Sequence, residues 1–594
     1  MKNTIKVLIL ILFVSSILRL WNLSQVPVSL FGDELDVGYH AFSFIETGKD
    51  YSGNYFPANF QSLAEWRTPL FIYSTIPTVA LFGITPLGVR LPAAVFGILG
   101  VLGMYLFVRE FMTHSINKDN PKVIEVTALL SALFLGISPW HIQYSRAAFE
   151  VTMLIMFYLF GLYFFFKSFV KVKYFSVSLA LLIATPLIYS TAKLFTLILL
   201  ILLFLIWRKE IIALFFFNKD KNITHYKLNK GVKKYIVASC AVVLIMGSIT
   251  TYATLFSGGT QRFGYISVFS DPTREPEVGV KREQAARFRG EMGIGLTPTF
   301  SDKLFYNKYT FWGQRILKNY FESFSGEFLF IKGDFNLRHS IEGIGQFYKV
   351  EAIALILGLI YFFGNKKERK NKLLIALWLV LGVIPSAITR EGGRHATRLI
   401  VILPPMIFLI SYGLVYFVTT LNRNTKIVFT SFYATLLTIN FIFYQQNYWT
   451  QNPWYSERWW HAGYKEAIQS VKELESNYNE VLITMASEPA WTFFAAYMNY
   501  DPVRWQNVKP DSNWIDDPRY GRITMIDKYY FTSPQGQLYD WGKNLEKGVL
   551  VLSSEKEVGI NLIKEPDRTP GDLTLIKSIT YPSGLPAFYL FEKK

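Results

Sequence analysis

The chain has 594 residues and one cysteine; 51% of residues are hydrophobic, 17% aromatic and only 18% charged, with a formal net charge of +17. That apolar fraction excludes intrinsic disorder, and a single cysteine excludes both a disulfide framework and a cysteine-based metal cluster. Charged residues fall well short of the roughly one quarter usual in soluble domains, and the apolar residues cluster in long runs, so the composition describes a membrane protein.

In chain order, apolar runs near 5–21, 70–83, 90–108, 124–139, 149–166, 174–190, 194–207, 235–256, 350–364, 373–388, 396–420 and 427–444 approach the length of a membrane-crossing helix, about 20 residues. They predict a polytopic α-helical membrane protein with about 12–13 transmembrane helices, the thirteenth arising from a break at Pro404–Pro405. The first run follows Lys2 and Lys6 and has no small residues for cleavage after it, so it reads as an uncleaved anchor. The basic clusters Lys167/Lys171/Lys173, Arg208–Lys234 and Lys366–Lys372 read as cytoplasmic. Residues 22–69 and 257–349 then face the external side. Residues 109–122, with Arg109, Lys118 and Lys122, are also basic, yet counting spans from an external 22–69 loop puts them outside. Either 70–83 does not cross, or this weakly charged loop departs from the rule. The Asn222-Ile-Thr224 sequon falls in a cytoplasmic loop and carries no meaning there.

After Tyr444 the apolar spans stop. A helical pattern at Gly463–Asn477 is followed by strand-like runs at Val481–Met485, Ile523–Ile526, Val549–Leu552 and Phe588–Phe591. Residues 445–594 therefore read as a soluble α/β domain outside the cytoplasm, appended to a transmembrane domain at 1–444. Trp449, Trp454, Trp459 and Trp460, just past the last span, suit an interfacial aromatic belt.

The first external loop carries Phe31-Gly-Asp-Glu-Leu-Asp36. Adjacent carboxylates at a membrane surface suit general-base work, or a divalent cation held by Asp33, Glu34 and Asp36. The alternative is that Asp33 caps a helix while Glu34 is solvated. Arg146 and Lys193 lie within or beside apolar runs, where a basic residue costs about 2.5–3.5 kcal/mol to insert and so needs a partner or a task. Glu150, four residues from Arg146, is the simplest such partner. Arg90 suits a snorkelling interfacial position. His339 and His395 each adjoin an arginine and suit an anion contact or proton transfer. No His/Cys cluster shows metal-ligand spacing. Asp334 and Glu342 read as turn residues beside Gly333 and Gly343. A P-loop and a dinucleotide fingerprint are absent from the sequence, and Lys227 to Lys234 suit cytoplasmic anchoring rather than nucleic acid.

These pieces, in this order, resemble the GT-C glycosyltransferases of the protein O-mannosyltransferase and aminoarabinose-transferase superfamily, in its bacterial members. The matching elements are Arg19-Leu20, Asp33-Glu34, Arg67-Thr68-Pro69-Leu70 (one proline short of the family pattern) and Arg90-Leu91-Pro92. Further along come Ser138-Pro139 with Ser145-Arg146 and Glu150, then Tyr189 to Lys193. The last are Phe328 to Gln346, including Arg338-His339, and Ile384 to Pro404, including Arg394-His395 and Arg398. The resemblance implies an inverting membrane enzyme that moves a single sugar from a polyprenyl-phosphate donor to an extracytoplasmic acceptor: a protein, a glycolipid or a polysaccharide. It implies Asp33 as base or acceptor-orienting group and Glu34 as the acceptor's support. It assigns the donor phosphate to Arg67, Arg146, Lys193, Arg394 and Arg398, with His339, His395 and Arg90 as further candidates. No cofactor is required by it; Mg²⁺ or Mn²⁺ on the Asp33 cluster is the open alternative. The plasma (inner) membrane is the implied location, with no nucleic-acid partner. The rival reading is a transporter or lipid flippase, since charges within spans also mark substrate paths; the acidic pair in a loop and the absence of a two-half repeat speak against it. An oligosaccharide transferase is disfavoured because Trp459-Trp460-His461 departs from that group's Trp-Trp-Asp at the third position.

Overall fold

The computed structural model describes residues 2–62, 65–115, 120–218, 226–228, 232–291, 293, 297–364, 369–486 and 488–594. The sequon at Asn222, and Lys118, Lys230 and Lys366 of the basic clusters, lie outside the described residues. Each apolar run is helical. The helices are α1 (Lys2–Leu20), α2 (Gly32–Thr47), α3 (Pro69–Phe82), α4 (Pro86–Ser115), α5 (Pro121–Ile137), α6 (Pro139–Ser145), α7 (Val151–Ser168), α8 (Lys173–Ala184), α9 (Ala192–Phe215) and α10 (Lys233–Leu255). Four helices then occupy the long loop: α11 (Gln261–Ile266), α12 (Arg274–Phe288), α13 (Phe300–Phe305) and α14 (Lys308–Glu322). The second group comprises α15 (Glu351–Gly364), α16 (Arg369–Gly382), α17 (Ile384–Ala387), α18 (Ala396–Leu399), α19 (Leu403–Thr420) and α20 (Arg423–Gln446). Seven helices are by themselves long and apolar enough to cross a membrane, and the bent pair α5–α6 makes an eighth. The protein is a multi-pass membrane protein.

Contacts at the helix ends settle which runs cross. Helix α3 starts beside α2: Arg67, two residues before it, reaches Asp33 and Asp36 of α2, each at 2.7 Å. It also ends there: a Cβ on Gly38 of α2 would lie 2.9 Å from Ile84, just past α3. Arg90, in the first turns of α4, is bonded to Glu34 of α2 at 2.8 Å. Both ends of α3 therefore sit against α2, and α3 does not cross. With α3 set aside, the span candidates lie on α1, α4, α7, α10, α16, α19, α20 and the bent pair α5–α6, and α8, α9 and α15 are further apolar helices, in keeping with the polytopic expectation. Residues 109–122 then fall on the face opposite α2, together with the other basic clusters, and the conflict over that loop disappears. On the α2 face, Asn59 donates to Ser257 at 2.9 Å, Val268 to Ile388 at 3.0 Å and Tyr348 to Ile137 at 2.7 Å. On the opposite face, Arg109 pairs with Glu125 at 2.7 Å and Lys372 donates to the Phe363 carbonyl at 3.1 Å.

Beyond α20 and the short α21 (Asn452–Tyr455), the chain forms α22 (Tyr464–Leu474), α23 (Ala490–Met498) and a seven-stranded sheet. Two short hairpins precede it: β1 (Phe60–Ser62) with β2 (Glu65–Arg67), and β3 (Phe216–Asn218) with β4 (Tyr226–Leu228). The sheet contains β5 (Glu480–Ile483), β6 (Trp514–Asp517), β7 (Gly521–Ile526), β8 (Tyr529–Phe531), β9 (Val549–Ser554), β10 (Leu573–Thr580) and β11 (Pro586–Lys593). Its order is β10-β11-β9-β5-β8-β7-β6, with the central β5 parallel to β8 and β9 and the outer pairs antiparallel. All four strand-like runs are strands; β6, β8 and β10 were not anticipated. Strand β6 is exposed along its length, and β10 has no clean period-two pattern to read.

This sheet-bearing region does not stand apart. Tyr39 of α2 donates to the Tyr500 carbonyl at 3.1 Å, Gln506 donates to the Asp50 carbonyl at 3.0 Å, and Gly32 lies against Phe493 of α23. One hydrophobic cluster runs from the transmembrane helices through Phe31 and Leu35 to Trp460, Phe494 and Leu552.

Candidate active site

Helix α2 starts at Gly32 with two acidic residues in its first turn, where the helix dipole favours them. Successive residues on a helix point about 100° apart, so the adjacent carboxylates face different surroundings. Glu34 is fully buried. It accepts from Arg90 Nε and Nη2, both at 2.8 Å, from Ala148 N at 2.9 Å and from Phe31 N at 3.4 Å. Arg90 also donates to Pro27 O at 2.9 Å, so this fork-to-fork pair ties the first loop to the start of α4. Two expectations are corrected: Glu34 cannot touch an acceptor, and Arg90 is neither snorkelling nor a phosphate ligand, because each is used up by the other inside the protein.

Asp33 keeps 49% of its side chain exposed, and its Oδ1 lies 2.7 Å from Arg67 Nη2. The same guanidinium reaches Asp36 Oδ2 through Nε at 2.7 Å. Asp36 is buried and also accepts from Tyr51 at 2.7 Å and Ser62 at 2.6 Å. Arg67 stands on β2, paired with β1, and thus clamps two carboxylates of α2 rather than presenting its charge to the cavity described below. Burial would raise the Asp33 carboxyl, but Arg67, Arg338 and Arg262 together hold it down at about 2. Burial pushes Asp36 the other way, above the usual carboxylate range. Asp33, Glu34 and Asp36 do not converge on one point, so they do not form the cation site considered from the sequence.

A cavity of about 340 Å³ opens between the start of α9, the end of α10, the loop helix α11 and α17. Lys193, Arg262 and Arg398 line it with Tyr189 and Thr389, and Leu194, Phe263, Ile266, Pro385 and Ile388 supply apolar wall. Lys193 Nζ donates to the Gly259 carbonyl at 2.7 Å, and Arg398 Nη1 to Thr389 Oγ1 at 2.7 Å. Arg262 joins the two halves of the site: it lines the cavity and its charge acts on Asp33. Sequence reading missed it, because Gln261-Arg-Phe-Gly-Tyr265 has no motif and no apolar period; its one signal is its place just past the external end of α10.

The remaining candidates lie elsewhere. Arg146 is fully buried; it donates to Tyr448 Oη at 3.0 Å, Leu18 O at 3.0 Å and Val26 O at 2.9 Å, and lies 4.6 Å from the Trp449 ring. The chain leaves the helix at Arg146 and re-enters at Val151, so the i,i+4 pairing with Glu150 does not form either. Arg394 pairs at the surface with Glu327, 2.8 Å away. Neither lines the cavity. Trp460 is buried edge-on to Phe31, with ring centroids 5.4 Å apart, and is not part of an interfacial belt. His339 and His395 do come together, with ring centroids 5.2 Å apart, next to Asp334. From the sheet-bearing region, Glu488 pairs with His461 at 3.2 Å. Burial opposes ionisation of Glu488, but His461 and Arg338 hold it below its usual range.

Fold and site define a multi-pass helical membrane protein with an ionised carboxylate and a cationic, apolar-walled cavity. No protein-family model and no curated protein matches the sequence. Among solved structures, ArnT from Cupriavidus metallidurans bound to undecaprenyl phosphate is similar over 99% of this chain and 97% of its own, at 12% identity and a TM-score of 0.49. The archaeal oligosaccharyltransferase AglB from Archaeoglobus fulgidus, in complex with an inhibitory peptide and a dolichol-phosphate, is similar over 83% of this chain, at 13% identity and a TM-score of 0.46. The chain spans 63% of the length of that oligosaccharyltransferase. At such distance no residue's role is carried over from these neighbours.

Proposed function

We propose that the chain is an inverting membrane glycosyltransferase that moves one sugar from a polyprenyl-phosphate donor to an acceptor hydroxyl or amine outside the cytoplasm. The observation that carries this reading is the pairing of three cations with apolar walls in one cavity, one of which, Arg262, also acts on the half-exposed Asp33. A phosphate on an isoprenoid chain needs both features. As the bond from the anomeric carbon to the phosphate oxygen breaks, that oxygen gains negative charge. Lys193, Arg262 and Arg398 then stabilise the transition state more than the ground state. A well-placed donor of this kind is worth about 3–4 kcal/mol.

Asp33 faces the acceptor. Held near 2, its carboxylate is a weak base, so its first task is to accept a hydrogen bond from the acceptor and aim the lone pair at the anomeric carbon. The new bond forms on the face opposite the departing phosphate. The acceptor's proton passes to the Asp33 carboxylate late, and then to solvent or the released phosphate. Arg67 fixes the direction of Asp33, and the Glu34–Arg90 pair fixes α2 beneath it. In this reading the basic face is cytoplasmic, and Asp33 and the 445–594 domain are external, in a plasma-membrane protein. Hexose or pentose, and a protein, glycolipid or polysaccharide acceptor, all fit this arrangement.

The test is turnover of radiolabelled polyprenyl-phosphate hexoses and pentoses by reconstituted wild type, Asp33→Asn and Arg398→Ala. Asp33→Asn is expected to lower kcat at least ~100-fold with donor KM little changed, whereas Arg398→Ala raises donor KM as well. Undiminished turnover by Asp33→Asn sinks the assignment. If every donor stays intact while lipid crosses the bilayer equally in wild type and Asp33→Asn, the protein is a carrier.

A further inference from the structure

A second cavity, of about 440 Å³, lies between the end of α20 and the loop that leads into α15. Ile439, Asn440 and Phe443 of α20 line it, with Asn447 just after that helix, and Glu342 and Lys349 line it from the loop. We infer that this cavity seats a phospholipid whose headgroup carries a phosphate and a primary ammonium, of the phosphatidylethanolamine type. The inference goes beyond the transferase reading and does not depend on it.

The cavity stands at the bilayer surface, on the α2 face. Tyr348 of the loop donates to the Ile137 carbonyl at 2.7 Å, and Tyr448, just beyond α20, accepts from Arg146 at 3.0 Å. Both walls are thereby held at the α2 end of the helices. Only 6% of the apolar stretch of α20 is buried inside the protein, and Ile439 and Phe443 are 51% and 68% exposed. In a membrane span, lipid covers such a surface. From Ile439 to Asn447 the chain rises about 12 Å, while the polar zone on each side of a bilayer is about 5–8 Å deep. The cavity therefore reaches from acyl chains at Ile439 to headgroups at Asn447.

The polar groups on its rim match one kind of headgroup. Gly343, with φ +70°, closes a turn in which Ile344 N donates to the Ile341 carbonyl at 3.0 Å, and Glu342 stands at the tip of that turn. Lys349 is exposed just ahead of α15. Glu342 and Lys349 carry opposite charges and line one cavity, yet neither side chain has a partner among the described residues. Asn440 Nδ2 donates to the Leu436 carbonyl and Asn447 Nδ2 to the Phe443 carbonyl, both at 2.9 Å. A carbonyl only accepts, so each amide spends its nitrogen on the helix and keeps its oxygen as a free acceptor.

Lys349 suits the phosphate, through a charge-assisted hydrogen bond. A primary ammonium brings three donors, and Glu342 with the two amide oxygens supplies the acceptors. An anionic glycerol headgroup would satisfy Lys349 but set its charge against Glu342. A choline headgroup has no N–H to donate. The zwitterion with a primary ammonium satisfies both charges at once, and its chains cover Ile439 and Phe443.

The experiment is lipid binding by the full chain, stripped of lipid in detergent. It is titrated with phosphatidylethanolamine, phosphatidylglycerol or phosphatidylcholine of the same acyl chains, and native mass spectrometry counts the lipid retained. Wild type is expected to hold phosphatidylethanolamine at least ~10-fold more tightly than either other lipid. Glu342→Gln is expected to lose that preference, and Lys349→Gln to bind phosphatidylethanolamine at least ~10-fold more weakly. Both side chains are exposed, so lipid-free unfolding temperatures equal to wild type serve as the folding control. The wild-type ranking needs no variant: equal retention of the three lipids, or tighter binding of phosphatidylglycerol, overturns the site by itself. A preference that survives in Glu342→Gln also overturns it. Turnover enters none of these readouts, so the lipid site and the transferase reading fail separately.

Discussion

Asp33 projects from the first turn of α2 into an opening ringed by arginines, and its chemistry follows from their number. Arg67, Arg338 and Arg262 all favour its charged form, and together they outweigh burial to hold it near 2. The sign is that of a depressed acid. The ion pair contributes stability above the unfolded-state value of about 3.9, and that contribution is lost as pH falls through about 2. Asp33 is already ionised above about pH 4.5, so in the proposed transferase reaction kcat/KM is expected to show no acid limb from this group between about pH 4.5 and 8. Arg67→Gln removes the nearest cation and should bring an acid limb up into that window, by about one unit or more. A wild-type limb near pH 6 that Arg67→Gln leaves in place would assign the titration to another residue.

At the scale of elements, much was legible because a single strong signal governed it. Apolar runs longer than four turns are helices wherever they occur here, since inside a bilayer every backbone group must be paired within the segment. What stayed hidden depended on contacts between distant parts of the chain. Helix α3 is apolar enough to pass for a span, and only the Glu34–Arg90 bond and the Gly38–Ile84 approach reveal that both its ends lie on one face. Helix α23, Ala-Trp-Thr-Phe-Phe-Ala-Ala-Tyr-Met, is apolar all round because it is buried between α2 and the sheet, so it shows no amphipathic period. In the site, Asp33, Lys193 and Arg398 were legible as charges in unusual places; Arg146 has the same signature, and its partners turn out to be backbone carbonyls 120 or more residues away.

The closest helix approach is equally invisible in composition. A Cβ on Gly358 of α15 would lie 2.1 Å from the Leu409 carbonyl of α19, and one on Gly413 of α19 would lie 2.2 Å from the Gly358 amide. These are backbone-to-backbone contacts, so no side-chain rotation relieves them, and small residues are what such membrane crossings require. Gly413→Ala is expected to destabilise by about 1–3 kcal/mol, and Gly413→Leu to prevent recovery of a monodisperse protein. Gly247 of α10 has nothing within 4 Å of its ideal Cβ. Gly247→Ala should therefore be neutral, or gain up to about 1 kcal/mol from helix propensity. Thermal unfolding in detergent separates the cases; equal effects at the two positions would mean that α15 and α19 do not touch as described.

For the whole molecule, the arrangement of Asp33, the cavity and the sheet-bearing region depends on one topological fact: α3 returns to the face it left. If α3 crossed, the start of α4 could not reach Glu34, and the basic residues Arg109 and Lys122 would share a face with Asp33. With α3 returning, every charged helix end agrees with every contact, and the sheet-bearing region is fastened to α2 by Tyr39, Gln506 and Phe493. The single native cysteine makes this easy to examine. Cys240 is exposed on α10 and is first replaced by serine. Glu46→Cys on α2, Leu585→Cys between β10 and β11, and Asn120→Cys at the start of α5 then report in turn, all three positions being exposed. In intact cells a membrane-impermeant maleimide is expected to label Glu46→Cys and Leu585→Cys, and to reach Asn120→Cys only after permeabilisation. Labelling of Asn120→Cys from outside together with Glu46→Cys would make α3 a crossing helix. Protection of Leu585→Cys while Glu46→Cys reacts would put the sheet-bearing region on the face opposite α2, against the contacts of Tyr39 and Gln506.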